Sequence, residues 1–280
     1  MKLRTQVGNS AYNQTYFRPS CSPALNLRVN TSDFFDPYYE NEKTYEQIQV
    51  PAGLTRTPEE TILNYFSILR EADNTIERRS CGTIGYARIP YPLAYNFLSK
   101  KFQKKISYEE YLHSFAGIGH INLIKLALVS NEKQAVRFFY EIETIEAFEG
   151  TDAEYFGYSY GFIQLTQEQT GYRISNMDRI KEDFLCAPYH GWSHDAEAVV
   201  EIKYGNWCKL IKHIHPTIKN GYVKYIPFHG KDGADYSMVF ITLTNGTDVE
   251  IAQYRKIGNE GWKQIKINPE EECLTKKNDS

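Results

Sequence analysis

The chain has 280 residues, 41% of them hydrophobic and 24% charged, with a formal net charge of −3. That balance suits a soluble, core-forming protein and gives no electrostatic reason to expect nucleic acid or an anionic membrane as partner. Domains of about 100–150 residues are commonest, so the length predicts two units.

The opening residues Met1-Lys2-Leu3-Arg4 have no apolar run behind them and do not read as a secretory signal. No window approaches the roughly 20 apolar residues that cross a bilayer. Five scattered cysteines, Cys21, Cys81, Cys186, Cys208 and Cys273, argue against a disulfide framework and for a reducing compartment, the cytoplasm. Tyrosine outnumbers phenylalanine, 22 to 15. Its ring packs while its hydroxyl seeks a polar partner, which predicts a half-buried, tyrosine-lined sheet or an interface.

Residues 1–56 hold no period of 2 or 3.6, and read as an irregular arm that docks through the aromatic cluster Phe34-Phe35 and Tyr38-Tyr39. Thr57-Pro58-Glu59-Glu60 then signals a helix start, with Thr as cap, Pro at the first helical position and Glu60 completing a capping box. Ile62, Leu63, Phe66 and Leu69 fall on one face of that helix. A turn-rich stretch with Pro90 and Pro92 leads to a second, shorter helix over Leu93–Leu98. Ser107-Tyr108-Glu109-Glu110 caps a third, whose apolar side is Tyr111, Leu112 and Phe115, and Gly117 and Gly119 end it.

From His120 the period becomes two. Val136, Phe138, Tyr140 and Ile142 alternate with Arg137, Phe139, Glu141 and Glu143, and Tyr155–Leu165 forms a second long strand whose Gly157 and Gly161 suit a bent sheet. A shorter strand covers Tyr172–Ser175. The pattern restarts near Ser193 with a helix whose apolar face runs through Ala196, Val199, Val200, Trp207, Leu210, Ile211 and Ile214. Strands follow at Tyr222–Phe228, Tyr236–Thr244, Val249–Tyr254 and Trp262–Ile267, joined by hairpin turns such as Asn245-Gly246. The tail from Pro269 is polar and reads as mobile. The expected fold class is thus α+β: an arm over 1–56, a helices-then-antiparallel-sheet domain over 57–185, a smaller helix-plus-four-strand unit over 186–268, and a tail over 269–280.

Capped helix, short helix, capped helix and then long bent strands resemble the nuclear transport factor 2-like superfamily of cone-shaped folds over residues 57–179. The likeness is carried by Thr57–Phe66, Ala94–Ser99 and Ser107–Tyr111. Residues 193–267 resemble the related cystatin-like arrangement. The superfamily includes isomerases, dehydratases, cyclases, transport adaptors and accessory domains, so the resemblance implies a fold before any function.

Its enzymes place an acid or base inside the cone opposite an oxyanion-stabilising Tyr or Asp. The stretch where that base often lies, Cys81–Tyr91, holds no Asp, Glu or His. His113, His120, Tyr158 and Tyr160 are the pocket candidates that remain. Cys186, His190 and His194 are three candidate zinc ligands, but neither a CxxC pair nor an HExxH motif accompanies them. A packed connection between the two units explains that cluster more simply. Cys208, beside Trp207, reads as an inert thiol on the apolar helix face. No cofactor is implied. The expected function is non-catalytic binding or assembly, with Tyr155, Tyr158, Tyr160, Phe34 and Phe35 meeting a protein partner or a second copy. The alternative is a small-molecule binder or an isomerase or dehydratase using the cone cavity.

Overall fold

A computed structural model describes residues 20, 22–26, 43–75, 87–132, 135–147, 154–184 and 191–274. The chain divides into two compact units, Met1–Glu182 and Asp183–Ser280, each α+β.

In the first unit α1 spans Pro58–Arg70. The Thr57 hydroxyl accepts the Glu60 N–H and Pro58 sits at the first turn, as expected. Ile62, Leu63, Phe66 and Leu69 are all buried, each contributing about 1.5–3 kcal/mol. The second helix, α2, begins earlier than expected, at Pro90, and ends at Tyr95. A short α3 over Lys100–Gln103 follows, capped by Ser99. In α4, Tyr108–His113, the capping box is complete, since Ser107 accepts the Glu110 N–H while the Glu110 carboxylate accepts the Ser107 N–H.

The sheet runs β1 (Ile118–Glu132), β2 (Ala135–Ala147), β3 (Glu154–Glu168), β4 (Gly171–Met177), all antiparallel neighbours, with β5 (Ile180–Lys181) also on β3. Val136, Phe138, Tyr140 and Ile142 join the helices in one core, as their alternation predicts. Gly161 is required by a close approach of the backbone. A Cβ there would overlap the carbonyl oxygen of Asp178, which lies in the gap between β4 and β5. Asp178 spans that gap: its N–H donates to the Phe162 carbonyl, and its Oδ1 accepts the Phe162 N–H.

The tyrosines are placed inside. Tyr65, Tyr91, Tyr95, Tyr111, Tyr140 and Tyr158 are each at most 3% exposed, so the expected half-buried tyrosine-lined sheet is not what these residues build. Tyr45 stacks on Tyr108 and meets Tyr95 edge-on at ring distances of 5.0 and 5.1 Å.

The aromatic cluster at Phe34 and Phe35 lies outside the described residues. Upstream of it, Asn26 docks on the fold. Its amide donates to the carbonyls of Phe66 and Ile121, and its Oδ1 accepts the Leu123 N–H. Leu25 adds a backbone bond to the Leu123 carbonyl.

In the second unit, α5 (Ala196–Val199) continues into wider π-helical turns over Val200–Trp207. The expected helix through Ile214 ends there. Lys209 turns into the left-handed region at φ 54°, and Ile211–Ile214 becomes a strand, β6, in keeping with its two β-branched residues. Six strands replace the expected four, in the order β11 (Lys263–Ile265), β10 (Asp248–Lys256), β9 (Asp235–Thr242), β8 (Val223–Gly230), β6, with β7 (Ile218–Asn220) also on β8. Pro216 falls between β6 and β7, where a residue without an N–H interrupts pairing.

Two cysteine expectations are overturned. Cys208 is bonded to Cys273 across 65 residues, so it is not a free thiol, and the cysteine argument for a reducing compartment is removed. The tail is also held where it was expected to be free: Glu270–Leu274 forms a turn, and Glu270 pairs with Lys203 at 3.0 Å. Cys21, Cys81 and Cys186 lie outside the described residues.

Candidate functional site

Between α1, α3, α4 and the core-facing side of the first sheet lies a cleft of about 160 Å³. Phe66, Leu69, Leu98, Phe102, Ile106 and Phe115 supply one wall, Tyr140, Ile142 and Met177 the other. The lining is apolar because the same helical and strand faces that form the core turn inward here.

Its polar groups are engaged. The hydroxyls of Tyr65 and Tyr111 meet at 3.2 Å, and Tyr140 donates to the Asp178 carbonyl at 2.5 Å. Burial pushes all three tyrosines above their ordinary range, so they stand neutral at physiological pH. Arg179, at the mouth, donates to the Ser114 carbonyl at 3.0 Å. Asp178 and Arg179 are the charged residues of the lining.

Neither histidine expected in the pocket lines this cleft. His113 borders a separate, open hollow of about 510 Å³ with Asn74, Arg88 and Glu109. His120 belongs to a hydrogen-bonded chain on the other face of the sheet. Its Nε2 meets Asn122 Oδ1 at 3.2 Å, Asn122 Nδ2 donates to Glu143 at 3.3 Å, and Tyr158 donates to Glu143 at 2.8 Å. Ser20 N–H in turn donates to the Tyr158 hydroxyl. Thus His120 and Tyr158 are brought into one network, while His113 stands apart and Tyr160 stacks on Phe139 at 6.0 Å.

Burial holds the His120 imidazole below its usual range, the Arg70 charge adds to that, and Asn122 and Glu143 oppose it. A depressed histidine favours the neutral folded form, so its contribution to stability is present above about pH 6.5 and is lost as pH falls through the folded value. We expect acidification below that point to lower the melting temperature of the first unit. His120→Gln should flatten the slope, and an unchanged slope in that variant would remove His120 as its source.

Of the residues expected to form a contact surface, Tyr158 is 2% exposed and committed to Glu143. Tyr155 and Tyr160 are half-buried. Tyr155 donates to Glu146 at 2.7 Å, beside the Lys181–Glu146 ion pair at 3.0 Å. Burial raises the Glu146 carboxyl, but hydrogen bonds from Tyr155, Thr144 and Lys181 together hold it below the usual carboxylate range.

Of the zinc candidates, Cys186 and His190 lie outside the described residues, and His194 Nδ1 meets Thr247 Oγ1 at 3.4 Å. The described residues do gather Asp195, Glu197 and Asp248, which sequence spacing could not reveal because Asp248 comes from β10. Lys224 already pairs with two of these three carboxylates, 2.6 Å from Asp248 and 3.5 Å from Glu197. Asp248 also accepts the Ala196 N–H and the Thr242 hydroxyl.

No protein-family model and no curated protein matches the chain. A solved structure of an Ntf2-like protein involved in plasmid conjugation overlaps 59% of this chain and 87% of its own at 5% identity, with a TM-score of 0.20. An overlap that loose carries no argument about function. The fold is α+β. Among the described residues no helix is long and apolar enough to cross a membrane.

Proposed function

We propose that this is a non-catalytic binding protein of the nuclear transport factor 2-like kind, whose first unit receives a small apolar group in the concave cleft. The observation that carries the reading is the lining itself: apolar walls, with neutral hydroxyls bonded to one another or to backbone. An acid or base poised for proton transfer needs reach to a reacting atom. The two expected histidines are elsewhere, which weighs against the isomerase or dehydratase alternative. The group is an apolar side chain of a protein partner or of a second copy. A net charge of −3 favours protein over nucleic acid as partner.

Cavities of this size lined by Leu, Ile and Phe take up xenon or benzene. Under xenon pressure the methyl resonances of Ile142 and Met177 should shift saturably, and Ile142→Phe should abolish the response. Absence of any shift in the parent would mean the cleft does not open, and the reading would be lost. Sedimentation velocity on the same pair identifies the source: self-association weakened by Ile142→Phe points to a second copy, and monomers throughout point to another protein.

A further inference from the structure

On the other face of the first sheet, at the end away from Glu143, the structure forms a second hollow of about 380 Å³ around Arg137, Phe162, Gln164, Asn176 and Ser130. Arg137 alternates with the core residues Val136 and Phe138, so its side chain leaves the sheet on the face opposite the concave cleft. The guanidinium carbon lies 3.8 Å from the centroid of the Phe162 ring. Cation–π stacking of that kind fixes the plane of the group while leaving its edge donors free to bond.

Among the described residues Arg137 has neither an ion-pair partner nor a side-chain hydrogen bond, and the side chains of Ser130, Gln164 and Asn176 have no hydrogen bond either. Asp178, also in the lining, does not neutralise the guanidinium by pairing with it. Its Oδ1 is turned to the Phe162 N–H in the gap between β4 and β5. The hollow therefore presents a planar, permanently charged fork held in place by a ring, flanked by two amide groups and a hydroxyl that can donate.

We infer that this hollow binds an oxyanion, a carboxylate or a phosphate group. The rigid guanidinium edge matches the two oxygens of such a group in a bidentate arrangement, and the amides of Gln164 and Asn176 complete its shell. Lysine at this position would keep the charge but lose both the stack and the fork. The site is independent of the apolar cleft, with which it shares only Asp178.

The test is a titration of the full chain with inorganic phosphate and, separately, acetate, followed by nitrogen-15 resonances of the Arg137 side chain and of the Gln164 and Asn176 amides. Saturable shifts at these groups are expected. Arg137→Gln should weaken binding at least about tenfold and Arg137→Lys several-fold, with melting temperatures near the parent's because Arg137 is exposed. Tighter binding of phosphate assigns the site to phosphate-bearing ligands, and tighter binding of acetate assigns it to carboxylates. Shifts that do not saturate, or that persist unchanged in Arg137→Gln, would overturn the inference.

Discussion

Replacing both Cys208 and Cys273 by serine should lower the stability of the second unit by about 4 kcal/mol, from the chain entropy of a 65-residue closure. The closed loop contains all six strands of that unit, β6 to β11. An unfolded chain released from the crosslink therefore gains freedom over nearly the whole sheet. The measurement is selective, because Trp192, Trp207 and Trp262 are the chain's three tryptophans and all lie in Asp183–Ser280. A urea titration followed by tryptophan fluorescence reports that unit alone. Reducing the parent protein should move its midpoint to that of the double variant. A midpoint indifferent to reductant would show that the crosslink does not form in solution.

The second large effect belongs to the first unit. Lys125 and Glu141 face each other across β1 and β2, with Nζ and Oε2 2.7 Å apart and side chains 6% and 0% exposed. Removing one partner of such a buried pair costs about 3–5 kcal/mol, because the remaining buried charge loses its ion-pair contact inside the protein. Lys125→Met should therefore reduce stability by that amount, read from the urea midpoint by far-ultraviolet circular dichroism. Lys125→Met combined with Glu141→Leu should recover most of the loss, since apolar residues of similar volume can replace a buried pair. A loss below about 1 kcal/mol in the single variant would mean that the pair is solvated, against the burial on which the expectation rests.

Local chemistry was the legible part. Thr57, Pro58, Ser107 and Glu110 act within one helical turn, and the alternation along β2 is read within a single strand, so neither depends on distant residues. The end of α5 was not legible. Leu210, Ile211 and Ile214 continue the helical period, and only the left-handed turn at Lys209 and pairing with β8 show that they belong to a strand. Nor was the crosslink, because Cys208 and Cys273 meet only after six strands have folded between them. For the cleft, Phe66, Tyr140 and Ile142 were recognisable as core-facing by period. That these faces leave a hollow between them depends on how helices and strands distant in the chain pack together. His120 and Tyr158 carry side chains suited to pocket chemistry. They meet through Asn122 and Glu143 because β1, β2 and β3 are neighbours in register, a relation between strands that composition does not carry.

The anchoring of Asn26 bears on where this unit can be cut. A fragment begun at Thr57, where the first strong helical signal stands, would strip the partner from the Leu123 N–H and from the carbonyls of Phe66 and Ile121. Those groups lie against the edge strand β1, and an edge with unpaired backbone is a template for pairing with another chain. Residues ahead of the helices therefore serve as the selvedge of the sheet, and a trimmed version would be prone to stick to itself for reasons unrelated to any natural partner.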